Sequence, residues 1–417
     1  MDSFIDLTLQ IVKNDYFQLI LTFLFGTFIS VKLIPVIIEY SKKLNLVDKP
    51  NERKVHVNPI PNLGGIAIFL GFLLSTLGWM MAYAGAGGVN FEIILIIYGL
   101  IVLFVMGMVD DQIDMKASHK FLIQIAVAVV IAAAGLRIES FNGIFFIWEL
   151  NIVVQYLFTI LLVVGLTNAF NLIDGIDGLA GGLALINATV IGLALYNPNE
   201  LLTSLIAFGL AGSLYGFLIY NFNPAKIFMG DTGSLVIGYM MAVLGIFLLN
   251  RGKVDATISV DTAADTTILV VGILVLPVYD TIRVFSRRIL SGNSPFKPDK
   301  THAHHLLIQS GFNHKKSALL LYVANIMIIG VAYFYYKLFD ESFELLSPLR
   351  DIMGIGGLVS EGNRINYSLW TSFAIINLFF IAALFYDFRR IYVLMRLLFM
   401  RKKEKQILHD NVLLDDD

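Results

Sequence analysis

Runs of about twenty consecutive apolar residues recur along this 417-residue chain and leave it few folds to choose from. A bilayer core offers no water to a backbone N–H or C=O, so a segment that crosses it does so as a helix. Eleven such runs stand out, at roughly 17–36, 63–83, 92–109, 120–137, 151–168, 179–196, 201–220, 234–250, 266–286, 317–337 and 367–386. Two or three soluble domains would fit this length, but the chain is 57% hydrophobic and 15% charged, whereas a soluble domain is about half apolar and about a quarter charged. No repeat period and no low-complexity linker divides the runs. The expected fold is an all-α polytopic membrane protein, with one membrane domain over residues 1–388 and a tail over 389–417.

Lys and Arg set the orientation. The segments after odd-numbered runs carry 22 of them and the opposite side carries 7, which places the first set in the cytoplasm. The N-terminus is then outside and the C-terminus inside. Met1 to Phe17 has neither a basic start nor a small-residue cleavage site, so no signal peptide is expected. The tail reads as a basic interfacial helix from Arg389 through Lys403, followed by a disordered acidic end. A net charge of −2 gives no field for nucleic acid, and the absence of cysteine excludes disulfides, thiolate nucleophiles and thiolate metal sites. Oligomeric state is not written in the spans, and a homodimer stays open.

The organising stretch is Asn168-Ala-Phe-Asn171-Leu-Ile-Asp174-Gly-Ile-Asp177-Gly178, between the fifth and sixth runs. Carboxylates at the edge of a membrane are costly and commonly functional. Their glycines suit a tight loop in which backbone approaches a ligand closely. A plain interhelical turn is the bland alternative. A second cluster, Asp110-Asp111-Gln-Ile-Asp114, ends the third run. If the helix continues, Asp110 and Asp114 share a face, and adjacent carboxylates call for a cation.

A third string, Asn221-Phe-Asn223 to Phe228-Met-Gly230-Asp231-Thr232-Gly-Ser234, precedes an apolar helix. Free N–H groups at that helix start would suit phosphate, and Asp231 could hold Mg²⁺; a simple helix cap is the plainer reading. Four of the seven histidines fall between residues 302 and 314, beside Arg287, Arg288, Lys297 and Lys300. No cysteine or Glu-centred motif accompanies them, so phosphate donors fit better than zinc ligands. A basic, proline-bounded stretch at Asp48–Gly65 is explained largely by its cytoplasmic side. Every one of these motifs falls on the cytoplasmic side, which suggests a single site.

On these strings, from about Asp48 to Gly311 and in family order, the chain resembles the polyprenyl-phosphate N-acetylhexosamine-1-phosphate transferases. These include the WecA/TagO-type initiators and the MraY translocases. His302-Ala303-His304-His305 after Ser294-Pro-Phe-Lys-Pro-Asp-Lys is similar to the WecA/TagO branch, since MraY-type members carry three consecutive histidines there. The resemblance implies transfer of a sugar-1-phosphate from a UDP-N-acetylhexosamine, with GlcNAc the default, to undecaprenyl phosphate. UMP is released, and Mg²⁺ (or Mn²⁺ in its place) is required. It implies a multi-pass protein of the bacterial inner membrane, with the active site on the cytoplasmic face.

By the same resemblance Asp231 is the Mg²⁺ ligand, and Asp110 and Asp111 face the reacting phosphates. Asn171, Asp174 and Asp177 line the nucleotide-sugar pocket. His304 and His305 are assigned to the diphosphate, His302 to substrate binding without a named group, Asn221 and Phe228 to the nucleoside, and Lys120 to the lipid phosphate. Arg53, Lys54 and His56 are left without roles. Direct in-line displacement is favoured over a covalent aspartate intermediate. An ion-coupled transporter would place its charges mid-span, and a membrane prenyltransferase would leave Gly230–Ser234 and the histidines unexplained.

Overall fold

Apolar runs of this length form helices because a helix satisfies its own backbone, and the runs end where Asn, Asp, Gly and Pro supply caps and turns. The computed structural model describes residues 14–44, 46–48, 59–85, 91–254, 260–294, 301–339 and 368–384. The basic tail, the stretch from Arg53 to His56 and residues 295–300 of the histidine loop lie outside them. Twelve α-helices are described: α1 (Asp15–Lys43), α2 (Gly64–Gly85), α3 (Phe91–Ile113), α4 (Ala117–Ala133), α5 (Ile152–Ile173), α6 (Leu179–Ala194), α7 (Leu202–Asn221), α8 (Gly230–Val254), α9 (Val260–Leu290), α10 (Ala303–Gln309), α11 (His314–Phe339) and α12 (Ser368–Leu384). A two-residue antiparallel pair, β1 (Val47–Asp48) with β2 (Ile60–Pro61), is the strand structure among the described residues.

The protein is therefore an all-α polytopic membrane protein. Eight of the helices are long and apolar enough to cross a bilayer: α1, α2, α3, α5, α7, α8, α9 and α11. Three shorter apolar helices, α4, α6 and α12, fall where the sequence places its fourth, sixth and eleventh runs. Helix α10 is too short for its periodicity to be read from sequence.

Helix α8 is the axis. Its apolar stretch is 89% buried against 22% for α1, so α8 meets protein on nearly every side while α1 faces lipid. Helices α2, α3, α5, α6 and α9 pack on α8, and α1 lies along α7. Small residues set these distances, as is usual where lipid removes the hydrophobic drive between helices. A Cβ on Gly107 would lie 2.5 Å from Thr232 Cα, and one on Gly238 2.6 Å from Leu166 O; a Cβ on Gly65 would overlap the Gly233 backbone. Glycine thus lets α2, α3 and α5 touch the first turns of α8. That contact brings the ends of four helices together at one end of the bundle.

Candidate active site

The polar residues at that end form one network. Asp231, in the first turn of α8, accepts from Asn171 Nδ2 of α5 at 2.9 Å, and its other oxygen lies 3.2 Å from Lys120 Nζ of α4. Lys120 also pairs with Asp110 at the end of α3. The second Asp110 oxygen accepts from Met115 N at 2.7 Å. Asn171 further donates to Ser234 Oγ at 2.9 Å. Lys120 thus stands between two carboxylates from different helices. The Asp231 side chain keeps 31% of its exposure and that of Asp110 only 3%, so Asp231 is the one a ligand can reach.

Asp111 does something else. Its oxygens accept from Asp231 N at 2.8 Å, Thr232 N at 3.0 Å and Thr232 Oγ1 at 2.6 Å. It caps α8 from a neighbouring helix, satisfying donors that the first turn of a helix leaves unpaired. Three expectations change. The α8 start does not offer these N–H groups to phosphate, because Asp111 has taken them. Asp111 itself is turned to the helix start rather than to reacting phosphates. The helix does not continue through Asp114 as the shared face of Asp110 and Asp114 required: α3 ends at Ile113, and Asp114 takes a left-handed φ of 50°.

The loop between α5 and α6 carries Asp174 and Asp177. Asp174 follows the last residue of α5. Burial pushes its carboxyl up to about 7, and the charges of Asp231, Asp111 and Asp177 add to the shift. Burial alone would raise Asp177 too, but its partners hold it below the usual carboxylate value. It accepts from Asn223 Nδ2 at 2.7 Å and Ala225 N at 3.1 Å, with His314 Nδ1 at 3.3 Å. Asp177 therefore ties this loop to the segment before α8 and to the start of α11.

Asn221 is also structural. It is buried, accepts from Gly178 N at 2.9 Å and donates to Ile227 O at 2.8 Å. The expectation of a nucleoside contact gives way to a staple between two loops. Removing it leaves a buried N–H and C=O unpaired, so Asn221→Ala is expected to lower stability by about 1–3 kcal/mol. An unchanged unfolding midpoint in detergent would contradict this role. Phe228 is half-buried, and its backbone bonds Pro61 O at 2.7 Å and Gly64 N at 2.9 Å.

The histidines sit on the far side of the loop. His302 Nδ1 is 2.9 Å from Asp280 Oδ2 of α9, so one of its ring nitrogens faces protein rather than substrate. His304 is buried, and neither of its ring nitrogens has a hydrogen-bond partner. Burial, with the neighbouring His305 adding, pushes its pKa down to about 3; the imidazole is neutral at pH 7. A Cβ on Gly175 would overlap His304 Nε2. Gly175 thus yields space to a protein ring rather than to a ligand, while Gly178 supplies a left-handed turn, φ +79°, into α6. Tyr322 of α11, which no sequence signal singled out, donates to Gly178 O.

Asp110, Asp111, Asp174, Asp177 and Asp231, with the one ammonium of Lys120 among them, form a surplus of negative charge that a cation would relieve. Among the described residues no three His, Cys, Asp or Glu side chains cluster closely enough to hold a metal unaided. Mg²⁺ does not require such a cage: it is usually bound through one or two carboxylates, substrate phosphates and waters. The exposed Asp231 suits that mode.

Comparison with known proteins gives the family. Residues 93–249, which run from α3 into α8, match the model of glycosyl transferase family 4. The chain is 33% identical over 353 residues to a probable undecaprenyl-phosphate N-acetylglucosaminyl 1-phosphate transferase of Bacillus subtilis, covering 82% of this chain and 94% of that one. It is 34% identical over 324 residues to a decaprenyl-phosphate N-acetylglucosaminephosphotransferase of Mycobacterium leprae, covering 73% and 80%. It is 31% identical over 300 residues to the undecaprenyl-phosphate alpha-N-acetylglucosaminyl 1-phosphate transferase of Escherichia coli K12, covering 70% and 77%.

Proposed function

The chain belongs to the polyprenyl-phosphate N-acetylhexosamine-1-phosphate transferases, and from that premise we propose that it transfers GlcNAc-1-phosphate from UDP-GlcNAc to undecaprenyl phosphate, releasing UMP. The product is the first lipid-linked intermediate of a cell-envelope glycan. The observation that carries this reading is the network of Asp110, Lys120, Asp231 and Asn171, assembled from four helix ends beside Asp174. All eleven apolar helices cross the bacterial inner membrane in this reading. The Lys and Arg asymmetry supports a cytoplasmic face for the network.

A lipid phosphate attacking a diphosphate brings like charges together, so the site must neutralise charge more than it must move protons. An oxygen of the lipid phosphate attacks the sugar-bearing phosphorus. The bond from that phosphorus to the bridging oxygen breaks, and UMP leaves with the oxygen and its electron pair. Mg²⁺, held by Asp231, would neutralise the diphosphate and the leaving group. Asn171 orients Asp231. Lys120 brings its ammonium to the acceptor phosphate, and buried Asp110 holds Lys120 in place. The second pKa of a phosphate monoester is about 6, so the acceptor needs little help from a base at pH 7. The burial and pairing of Asp110 favour direct displacement over an aspartyl intermediate there.

The test is turnover by purified protein in detergent with undecaprenyl phosphate, UDP-GlcNAc and Mg²⁺. Equal amounts of UMP and GlcNAc-diphosphate-lipid are expected, both lost with a chelator and restored by Mg²⁺. Turnover only with a different UDP-N-acetylhexosamine would keep the chemistry and change the donor. No turnover with any UDP-sugar by well-folded protein would sink the reading.

A further inference from the structure

Asp280 lies within α9, is 1% exposed, and has no part in the chemistry above. A carboxylate so deep in a membrane helix calls for a reason and a named partner. It has three. His302 Nδ1 lies 2.9 Å from Oδ2, while Ala303 N donates to Oδ1 at 3.1 Å and Arg283 Nη2 donates to the same oxygen at 3.2 Å. Arg283 also donates to Thr301 O, so the chain is gripped on both sides of His302. Ala303 opens α10, and Asp280 therefore caps that helix from outside it, as Asp111 caps α8.

Two residues into α10, His304 packs on Gly175, the residue after Asp174. The His302 and His304 rings are nearly parallel, 8° apart, with centroids at 5.9 Å. A chain of contacts thus runs from Asp280 through His302 and α10 to the loop that carries Asp174 and Asp177. Its members are rigid: a capped helix, a buried ring, and a glycine with no room for a methyl group.

We propose that Asp280, braced by Arg283, is a positioning residue for the sugar-nucleotide half of the site, seating the histidine helix against Gly175. This rests on the reading of the site as one for a UDP-sugar. The acceptor half, at Lys120 and Asp110, lies on other helices and is reached by none of these contacts. Asparagine at 280 has no charge to set against Arg283 and accepts through one oxygen only, so its NH₂ either confronts the Ala303 N–H or faces His302, which holds it only by presenting Nδ1 as an acceptor. The cap on α10 or the charge-assisted tie to His302 is weakened, and α10 shifts on the loop.

Steady-state kinetics with both substrates varied tests this. In Asp280→Asn the KM for UDP-GlcNAc should rise about tenfold or more, while the KM for undecaprenyl phosphate stays within about twofold of wild type. Asp280→Glu should recover part of the loss. Gly175→Ala, which displaces the same helix from the opposite side, should raise the same KM, and the double variant should be no worse than about twice the more damaged single. If Asp280→Asn does not give monodisperse protein, Arg283→Gln decides on the same readout. Unchanged kinetics, or equal increases in both KM values, would overturn the role of Asp280. Absence of wild-type turnover would instead overturn the reading of the site.

Discussion

Asp231→Asn is expected to lower kcat by about 10³-fold or more, which is about 4 kcal/mol of barrier, with little change in unfolding temperature. The two halves of that statement come from different contacts. The carboxylate is the exposed one, with 31% of its side chain accessible, and it is the ligand proposed for Mg²⁺. An amide has no charge to offer a hard cation, and its NH₂ would oppose either the Lys120 ammonium or the Asn171 amide. Stability should be spared because the start of α8 is fixed through backbone N–H groups by Asp111, which the substitution leaves alone. Raising Mg²⁺ should not restore the variant, whereas it restores chelated wild type. Wild-type kcat in Asp231→Asn would exclude this residue as the ligand and send the search to Asp174.

Much of this site was legible in the sequence, for a physical reason. Lipid tolerates few polar groups, so a carboxylate or carboxamide beside an apolar run marks either function or a specific structural bond. That argument located the Asp110 cluster, the Asn171–Asp177 stretch and Gly230–Ser234. It could not separate function from bond. Asp110 and Asp111 are neighbours in the chain but point about 100° apart around the end of α3, so one meets Lys120 and the other caps α8. Asn221 and Asp177 stand in strings that look catalytic, and they hold loops together. Lys120 and Asp231 are separated by 111 positions, and no local pattern records their pairing. Gly175 shows the same limit from the other side: glycine announces a close approach, but what approaches is His304, more than a hundred residues later. The apolar helices themselves were clear because each is long. Helix α10 was not, because seven residues make about two turns.

Asp111→Asn separates the two kinds of carboxylate. Asp111 touches no substrate in this reading, yet its replacement should cost both activity and stability. Its three donors, two backbone N–H groups and the Thr232 hydroxyl, all point at a carboxylate that can only accept. An amide at this position keeps one accepting oxygen and turns an NH₂ toward a donor. Losing a charge-assisted bond of this kind costs about 1.5–3 kcal/mol, so the unfolding temperature should fall measurably. Gly230 leaves no slack for adjustment: a Cβ there would lie 2.6 Å from Asp111 Oδ2. The first turn of α8 must then loosen or shift, and Asp231 moves with it. A displacement of about 1 Å at a reacting centre can lower a rate about 10²-fold, and that is the expected fall in kcat. Thr232→Val removes only the hydroxyl and should fall between Asp111→Asn and wild type in both measurements. Asp231→Asn should be the least active and the most stable of the three variants. If Asp111→Asn instead loses activity while its unfolding temperature stays at that of wild type, the carboxylate acts on substrate directly, and the capping account of Asp111 is wrong.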